Sequence, residues 1–382
     1  MNKMSSKERM LAVLKGEKPD YIPCSIYFNT NLRIAGYDLS NPEERIKCYL
    51  DLGTEPVIDI SLPGVLTYEQ VKTKVWTEEI AGEKYPVIFK EYITPEGTLR
   101  QGVYRTDDWP FGDDIPFPGN DHCASNNYEP LIKSPDDVAA FKFLWAKPKE
   151  VDIEAFKESI GGLMSLAEKY NVITRATVGV GLASLMSLMG AENFVLFAVD
   201  YPEAFKELAV FEHIMTLERM KIADYYGADL FKRFGGYEQT NFFSPSIYKD
   251  IVVPLAKREV IEARKIGIPM YYRVVTGMKP ILDEIAGIGF DCVEGFEPEL
   301  SNCSNEDIRK VLGEKSVVWT GVSSPVCLNA KDDNLTREAV RNAMETFEGT
   351  GFILGVTNSI RQHFNWDNTI ALVDEWKKCV GL

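Results

Sequence analysis

Between Ile268 and Pro298 the chain reads strand, loop, helix, strand within thirty-one residues, and this unit limits what the rest can become. Pro269 to Val275 is a short apolar run rich in aromatic and β-branched residues, as expected of a buried parallel strand. Gly277 breaks it, and Met278, Ile281, Leu282, Ile285 and Ile288 then recur at helical spacing. Gly287 and Gly289 end that helix, and Asp291 to Val293 begins another strand. Polar residues collect where the strands end: Arg273 and Thr276 after the first, Glu294 and Glu297 after the second. In barrels and open sheets alike, that carboxyl edge is where ligands bind.

The rest of the chain repeats the unit. Ser5 or Ser6 caps a first helix carrying Met10, Leu11, Val13 and Leu14, which Gly16 closes. Tyr21-Ile22-Pro23 leads into a strand at Cys24 to Phe28, whose end is marked by Asn29, Thr30, Asn31 and Arg33. A helix from Pro42 to Leu52 follows, then a second strand, Pro56 to Ile60, carrying Asp59. Further strands are predicted at Val172 to Val178, Asp229 to Phe234, Val317 to Thr320 and Gly351 to Gly355. Helices are predicted at Ile153 to Tyr170, Pro202 to Tyr226, Pro245 to Ile266 and Asp367 to Val380. With the opening unit this makes eight strands alternating with helices, which favours an α/β fold of the (β/α)8 TIM-barrel kind over a doubly wound sheet.

One stretch breaks the rhythm. VKTKVWTEEI, YPVIFKEYIT and TLRQGVYRT alternate polar and apolar residues, and Pro95-Glu96-Gly97 is a turn. We expect an antiparallel β insertion after strand two, at about residues 68 to 108, inside a single domain spanning 1–382. Trp109 to Asn127 is rich in Pro, Gly and Asp, so it reads as an unusually long loop.

Composition narrows the partners. The 42 basic and 57 acidic residues give a net charge of −15, which argues against nucleic acid or an anionic membrane. Seven scattered cysteines without a CxxC pair read as reduced thiols of a cytoplasmic protein. No signal peptide precedes the polar start, and no apolar run reaches membrane-spanning length. No phosphate-binding GxxxxGK[ST], no GxGxxG after a strand and no GxSxG appears.

The strand, glycine loop, IAxIGFD helix and following strand resemble the uroporphyrinogen decarboxylase superfamily, which also holds methyltransferases serving corrinoid proteins. SSKERMLAVLKGEKPDYIPC at Ser5 to Cys24 is similar to that family's opening helix and Pro-marked first strand. LRIAGYDLSNPEERIKCYLDLG at Leu32 to Gly53 resembles its next loop and helix. GYEQTNFFSPSIYKDIVVP at Gly236 to Pro254 resembles its acidic loop and Ser-Pro helix start. The likeness covers nearly the whole chain and lies nearer the corrinoid-dependent, methyltransferase-like branch.

The resemblance also implies where zinc would sit. Thiol-activating members carry a His-x-Cys pair after strand five and a second Cys near the end of strand eight. Here those positions read Val274 and Thr276, and the strand-eight loop is GVTNSIRQH. Zinc needs thiolate or imidazole ligands at matched spacing, so no Cys/His zinc site is expected; whether another metal binds stays open. Only three histidines exist, and His213 lies mid-helix, where a plain helix-face role is the simpler reading.

Glu238 follows strand four among Tyr237, Phe242 and Phe243. A carboxylate in such a pocket would have a raised pKa and serve as a general acid or a metal ligand. The plainer alternative is a loop cap, or an ion pair with Arg233 or Arg273. One of Glu294 and Glu297 would share the pocket with Glu238 and the other face solvent, the alternative being that both are ordinary loop acids. Arg273 and Arg361 would suit an anionic substrate group or pairs with the glutamates. Trp109, Phe111, Tyr237, Phe242 and Tyr272 would line a pocket for a flat apolar ligand, the alternative being core. The loop run WPFGDDIPF suggests a lid or an interface. Glu238 and Arg273 are therefore the catalytic candidates. Asn29, Asp59, Trp109, Phe111, Tyr237, Phe242, Tyr272, Glu297, Asn358 and Arg361 are the substrate-binding ones.

Three functions fit these residues. The first is a methyltransferase of the O-demethylase type, moving a methyl group from a small methoxylated, aromatic donor to a corrinoid (cobalamin) carried by a partner protein; a homodimer is compatible with it. A methyl ether is a poor donor until its oxygen is protonated or metal-bound, so an acid at Glu238 would have a clear task. The second is a porphyrinogen-type decarboxylase, which needs several cationic contacts to carboxylates. The third is a barrel that binds a ligand or a corrinoid protein without turnover.

Overall fold

The computed structural model describes residues 3–29, 32–63, 67–117 and 121–382; Thr30 and Asn31, expected at the end of the first strand, lie outside them. In chain order the strands are β1 (Val57–Ile60), β2 (Lys72–Glu78), β3 (Val87–Thr94), β4 (Gly97–Tyr104), β5 (Asn127–Glu129), β6 (Ile173–Gly179), β7 (Leu230–Phe234), β8 (Met270–Arg273), β9 (Cys292–Glu294), β10 (Val317–Val322) and β11 (Phe352–Val356). They form a parallel sheet ordered β1-β6-β7-β8-β9-β10-β11 and an antiparallel sheet ordered β2-β3-β4-β5. The chain divides into two compact units. One comprises Met1–Ser61, Lys157–Val178 and Met220–Leu382, and the other Leu62–Phe156 and Gly179–Arg219.

The first unit holds the parallel sheet, a mixed α/β arrangement that is TIM-barrel-like. Its strands read as near-continuous apolar runs because helices cover the sheet, as parallel strands require. Ile173, Leu230, Tyr271, Cys292, Val317, Trp319 and Ile353 pack into one buried cluster. Met10, Val13 and Leu14 of the helix Ser6–Leu14 join it, three and four residues apart on one face. Ser5 starts that helix with a reciprocal capping box to Glu8.

The segment expected as the first strand, Cys24 to Phe28, is not a continuous strand. It makes two isolated parallel bridges, Cys24 with Leu354 and Phe28 with Ile360. Glu55 N–H, just ahead of β1, donates to Cys24 O at 2.7 Å, and Ser25 N–H donates to Leu354 O at 2.9 Å. The ladder is thin for two reasons. Pro23 has no N–H to give, and Phe28 N–H donates to the Tyr49 hydroxyl at 2.9 Å instead of to a strand. The helix expected from Pro245 to Ile266 is likewise interrupted, by a π-helical turn at Tyr248–Val252. Pro254 cannot donate to the carbonyl of Asp250, which frees the ladder to widen there.

The second unit is built on the antiparallel sheet. β3 and β4 pair from Val87↔Tyr104 to Thr94↔Gly97, so Pro95 and Glu96 make a two-residue hairpin connection. Trp76 of β2 stacks on Phe89 of β3 with centroids 5.4 Å apart. Trp109 packs with Ile88, Val103, Ile115 and Cys123 in a buried cluster, with Phe111 partly buried against it. The long loop after Trp109 contains a short helix, Asp121–Ser125, ahead of β5. No single helix among the described residues is long and apolar enough to cross a membrane.

Candidate active site at the carboxyl ends of the parallel strands

Side chains alternate along a strand, so every second residue shares a face. Tyr271 belongs to the interior cluster, and Lys232 of β7 stands opposite it in register. The next residues along, Arg233 and Tyr272, are also register partners and face the helices instead. On β1 and β6 the same alternation pairs Asp59 with Arg175, and on β8 and β9 it pairs Arg273 with Glu294. The interior thus carries a layer of five charges above its apolar floor.

Two of these charges are held twice over. Arg175 donates to Asp59 through Nε at 2.6 Å and Nη2 at 2.7 Å, a bidentate pair. Arg175 guanidinium also lies 5.5 Å from the Tyr271 ring centroid. Desolvation by the protein packed round it pushes the Asp59 carboxyl up even though part of the side chain stays accessible, but Arg175, with Lys232 behind it, outweighs this and holds it below the usual range. Arg273 pairs with Glu294 and sends Nη2 to Thr357 O at 3.3 Å. Lys232 differs: burial, then the neighbouring Arg175 charge, pushes its ammonium down to about 8. Asp59 leaves 48% of its side chain accessible while Arg175 beside it shows 6%, so the layer faces an opening rather than a sealed core.

Glu297 sits one loop further out. Its carboxylate accepts from the Thr357 hydroxyl and, at 2.8 Å, from the Ser323 hydroxyl, so residues following β9, β10 and β11 meet on it. Burial raises its pKa above the ordinary carboxylate range, opposed by those two hydroxyls and by Arg273. The loop that delivers it is strained. Gly295 has φ +107°, and a Cβ there would stand 2.0 Å from Val274 O. Phe296 follows at φ +58°, rare for a bulky residue and frequent at functional sites.

Glu238 faces the other way. Arg233 Nη1 and Nη2 donate to its two oxygens, the second at 2.9 Å, and the Tyr272 hydroxyl donates to Oε2 at 2.7 Å. Arg233 Nε also reaches Glu259, on the helix Val253–Ile266, at 2.7 Å. Tyr272 stacks on Phe290 at 4.7 Å, and a Cβ on Gly235 would meet the Tyr272 ring at 2.1 Å. Of the roles open to Glu238, these contacts are those of the ion pair with Arg233.

The structure therefore brings Asp59, Arg273 and Glu297 to one end of the parallel strands, and sets Glu238 and Tyr272 behind the sheet. Tyr237 stands edge-on to Phe234 and Phe242, at 6.3 and 5.8 Å, in a partly buried aromatic group after β7. Asn358 O accepts from the Ser324 hydroxyl at 2.6 Å after β11, and Arg361 is exposed beyond it. Asn29 is partly buried, its N–H donating to Ile360 O at 3.0 Å. Trp109 and Phe111 belong to the second unit. Sequence reasoning missed Arg175, Lys232, Ser323 and Thr357. A signal existed for two of them: ITRAT and LFKRF each place a cation inside an apolar strand, at the alternating position of its interior residues.

Among the described residues no three His, Cys, Asp or Glu side chains converge as metal ligands. At the positions where the family resemblance would place zinc, Val274 and Thr276 supply neither thiolate nor imidazole, so the residues present do not fit that ion. Cavities of about 500 and 600 Å³ open at the opposite, amino-terminal ends of the strands, one beside Lys15, Arg264 and Lys315, the other beside Glu17, Lys18 and Tyr21.

A parallel-stranded, barrel-like α/β protein with Asp59, Arg273, Glu294 and Glu297 gathered at the carboxyl ends of its strands is the class that this geometry defines. The family model for uroporphyrinogen decarboxylase (URO-D) matches residues 114–379, and the chain belongs to that family. In fold it is similar to a methyltransferase from Methanosarcina mazei, with a TM-score of 0.59, 17% identity, and coverage of 98% of this chain and 99% of that one. A B12-independent methionine synthase from Shewanella sp. W3-18-1 matches with a TM-score of 0.42 and 10% identity, over 62% of this chain and 67% of that one. No curated protein matches the sequence.

Proposed function

We propose that this protein is a methyltransferase that takes a methyl group from a small methoxylated aromatic donor and passes it to a corrinoid carried by a separate protein. Family membership and the fold similarity to a methyltransferase support the reading. In it the Cys24 segment completes an eight-stranded barrel whose mouth holds the donor, in a cytoplasmic protein.

The observation that carries the reading is the Glu297 carboxyl, buried and held by two hydroxyls where β9, β10 and β11 end. Raised by burial, it keeps its proton nearer neutrality than an exposed acid does. As the O–CH3 bond breaks, that proton passes to the departing oxygen and the donor leaves as an alcohol or phenol. Arg273, anchored by Glu294, then steadies the carboxylate left behind, and solvent restores the proton. Tyr237 and Phe242 give the donor's ring a surface. A corrinoid on a docked carrier would supply the nucleophile, and the accessible side of Asp59 would suit the approach of such a partner-borne group. Glu238 enters as the anchor of Arg233, behind the strand that carries Lys232.

The test is to incubate the protein with cob(I)alamin and a panel of methoxylated aromatics while following the corrinoid spectrum. Methylcobalamin should form with the wild type and fall by ~10²-fold with Glu297→Gln. An unchanged spectrum across the panel overturns the reading. A second reading, decarboxylation of an acid, is favoured by one observation, the three interior cations Arg175, Lys232 and Arg273. Carbon dioxide release from a porphyrinogen would establish it.

A further inference from the structure

Of the five charges in the interior layer, Lys232 is the cation that no carboxylate holds. Arg175 has Asp59 and Arg273 has Glu294, each in direct contact. Lys232 Nζ makes no ion pair or hydrogen bond among the described residues, and lies 5.9 Å from the centroid of the Phe234 ring. The groups that face it are Asp59 from β1, Arg175 from β6, Tyr271 and Arg273 from β8, and Glu294 from β9. Three cations against two carboxylates leave one positive charge in excess.

Lys232 is half-buried, and a cation partly withdrawn from water with no counter-ion in contact is costly; proteins normally pair it, neutralise it or supply an occupant that does so. Two further observations bear on what could meet that charge. Asp59, in contact with Arg175, leaves 48% of its side chain accessible, so a small molecule can approach. The Tyr271 hydroxyl and Glu294 Oε2 are buried in the same layer with no hydrogen-bond partner, an unusual concentration of unmet polar atoms.

We infer that Lys232 receives the carboxylate of a small aromatic monocarboxylic acid. The charge count selects one negative charge: a phosphate dianion would overshoot the excess and meet Asp59 and Glu294. The ring is selected by Phe234 beside the ammonium and by Tyr237 and Phe242 beyond it. Lysine suits the task, because a compact ammonium can reach one oxygen while the Tyr271 hydroxyl donates to the other. The inference deepens the methyl-transfer reading, on which it rests for the donor's place, by making the donor a methoxylated aromatic acid.

Binding tests it without any methyl acceptor, so it can fail while methyl transfer stands, and the reverse. Benzoate, 4-methoxybenzoate and the neutral benzamide are titrated into the protein by calorimetry, with chloride as competitor. The two acids should bind and benzamide should bind more weakly by about tenfold or more, the usual worth of a charge-assisted contact. Lys232→Met should remove that preference, and Lys232→Arg should keep it. Above pH 8 the preference should decline in the wild type but not in Lys232→Arg, since an arginine keeps its charge. Melting temperature of each variant controls for folding, and ligand-free Lys232→Met should melt no lower than wild type, an unpaired cation having been removed. Equal binding of benzoate and benzamide, an unaltered preference in Lys232→Met, or no saturable binding at millimolar concentration overturns the inference.

Discussion

Lys232 and Arg233 are adjacent in the chain and serve opposite faces of one strand. Arg233 is clamped between Glu238 and Glu259 against the helices, while Lys232 stands among the interior charges beside Arg175. Strand alternation alone separates a structural cation from one that is open to chemistry.

The clamp makes Glu238→Gln a stability variant. Removing its charge leaves Arg233 buried with Glu259 alone, and truncating one partner of a buried ion pair costs about 3 kcal/mol. Chemical denaturation should show that loss, while turnover per folded molecule stays within a few-fold of wild type. A stable variant that has lost turnover would return Glu238 to the role of acid.

Glu297→Gln should do the reverse. The amide keeps contacts to Ser323 and Thr357 but cannot donate a proton to a leaving oxygen, so turnover drops by ~10²-fold with binding little changed. The pH dependence has a definite sign. Because the folded pKa lies above 4.5, the carboxyl's contribution to stability is full below pH 4.5 and is lost as pH rises through the folded value. Urea midpoints of wild type and variant should therefore diverge as pH is raised, with the variant gaining.

Lys232 gives the opposite window. Its pKa falls from 10.5 unfolded to about 8 folded, so between those values the unfolded chain binds the extra proton. Stability relative to Lys232→Met should then rise from pH 8 towards 10.5, by roughly 1–3 kcal/mol. A flat difference between the two proteins across that range would show that Lys232 is solvated like any surface lysine.

Gly295→Ala should be among the most damaging small changes in the molecule. A Cβ at φ +107° would press on Val274 O at 2.0 Å, and the loop must move to relieve it. Backbone strain of that kind costs about 1–3 kcal/mol before any clash is counted. The displaced loop carries Glu297, so turnover should fall together with the melting temperature. An alanine variant with wild-type melting would mean that the loop relaxes freely.

The strands were legible because a parallel strand covered on both sides is mostly apolar, and the runs at Val57, Ile173, Leu230, Met270, Val317 and Phe352 are so apart from the charges Asp59, Arg175, Lys232, Arg233 and Arg273. The antiparallel insertion was equally plain, because period-two alternation and Pro95-Glu96 are local signals. The Cys24 segment was less so, since whether its donors pair with a strand depends on Tyr49, twenty-one residues away. The site followed the same division. That carboxylates and arginines collect at strand ends can be read from the chain. Which of them meet cannot, since Glu297 finds Thr357 across sixty residues and Arg175 finds Asp59 across 116.

Residue order by itself determined the strand and helix succession, the family and the stock of charged groups, because periodicity, turn chemistry and composition act over a few residues. Only the tertiary structure decided that Glu238 is clamped behind the sheet, that Glu297 is buried against the Ser323 and Thr357 hydroxyls, and that Lys232 makes no ion pair among the described residues. The physical reason is that a group's solvation and counter-charge are set by neighbours that folding brings from five separate strands.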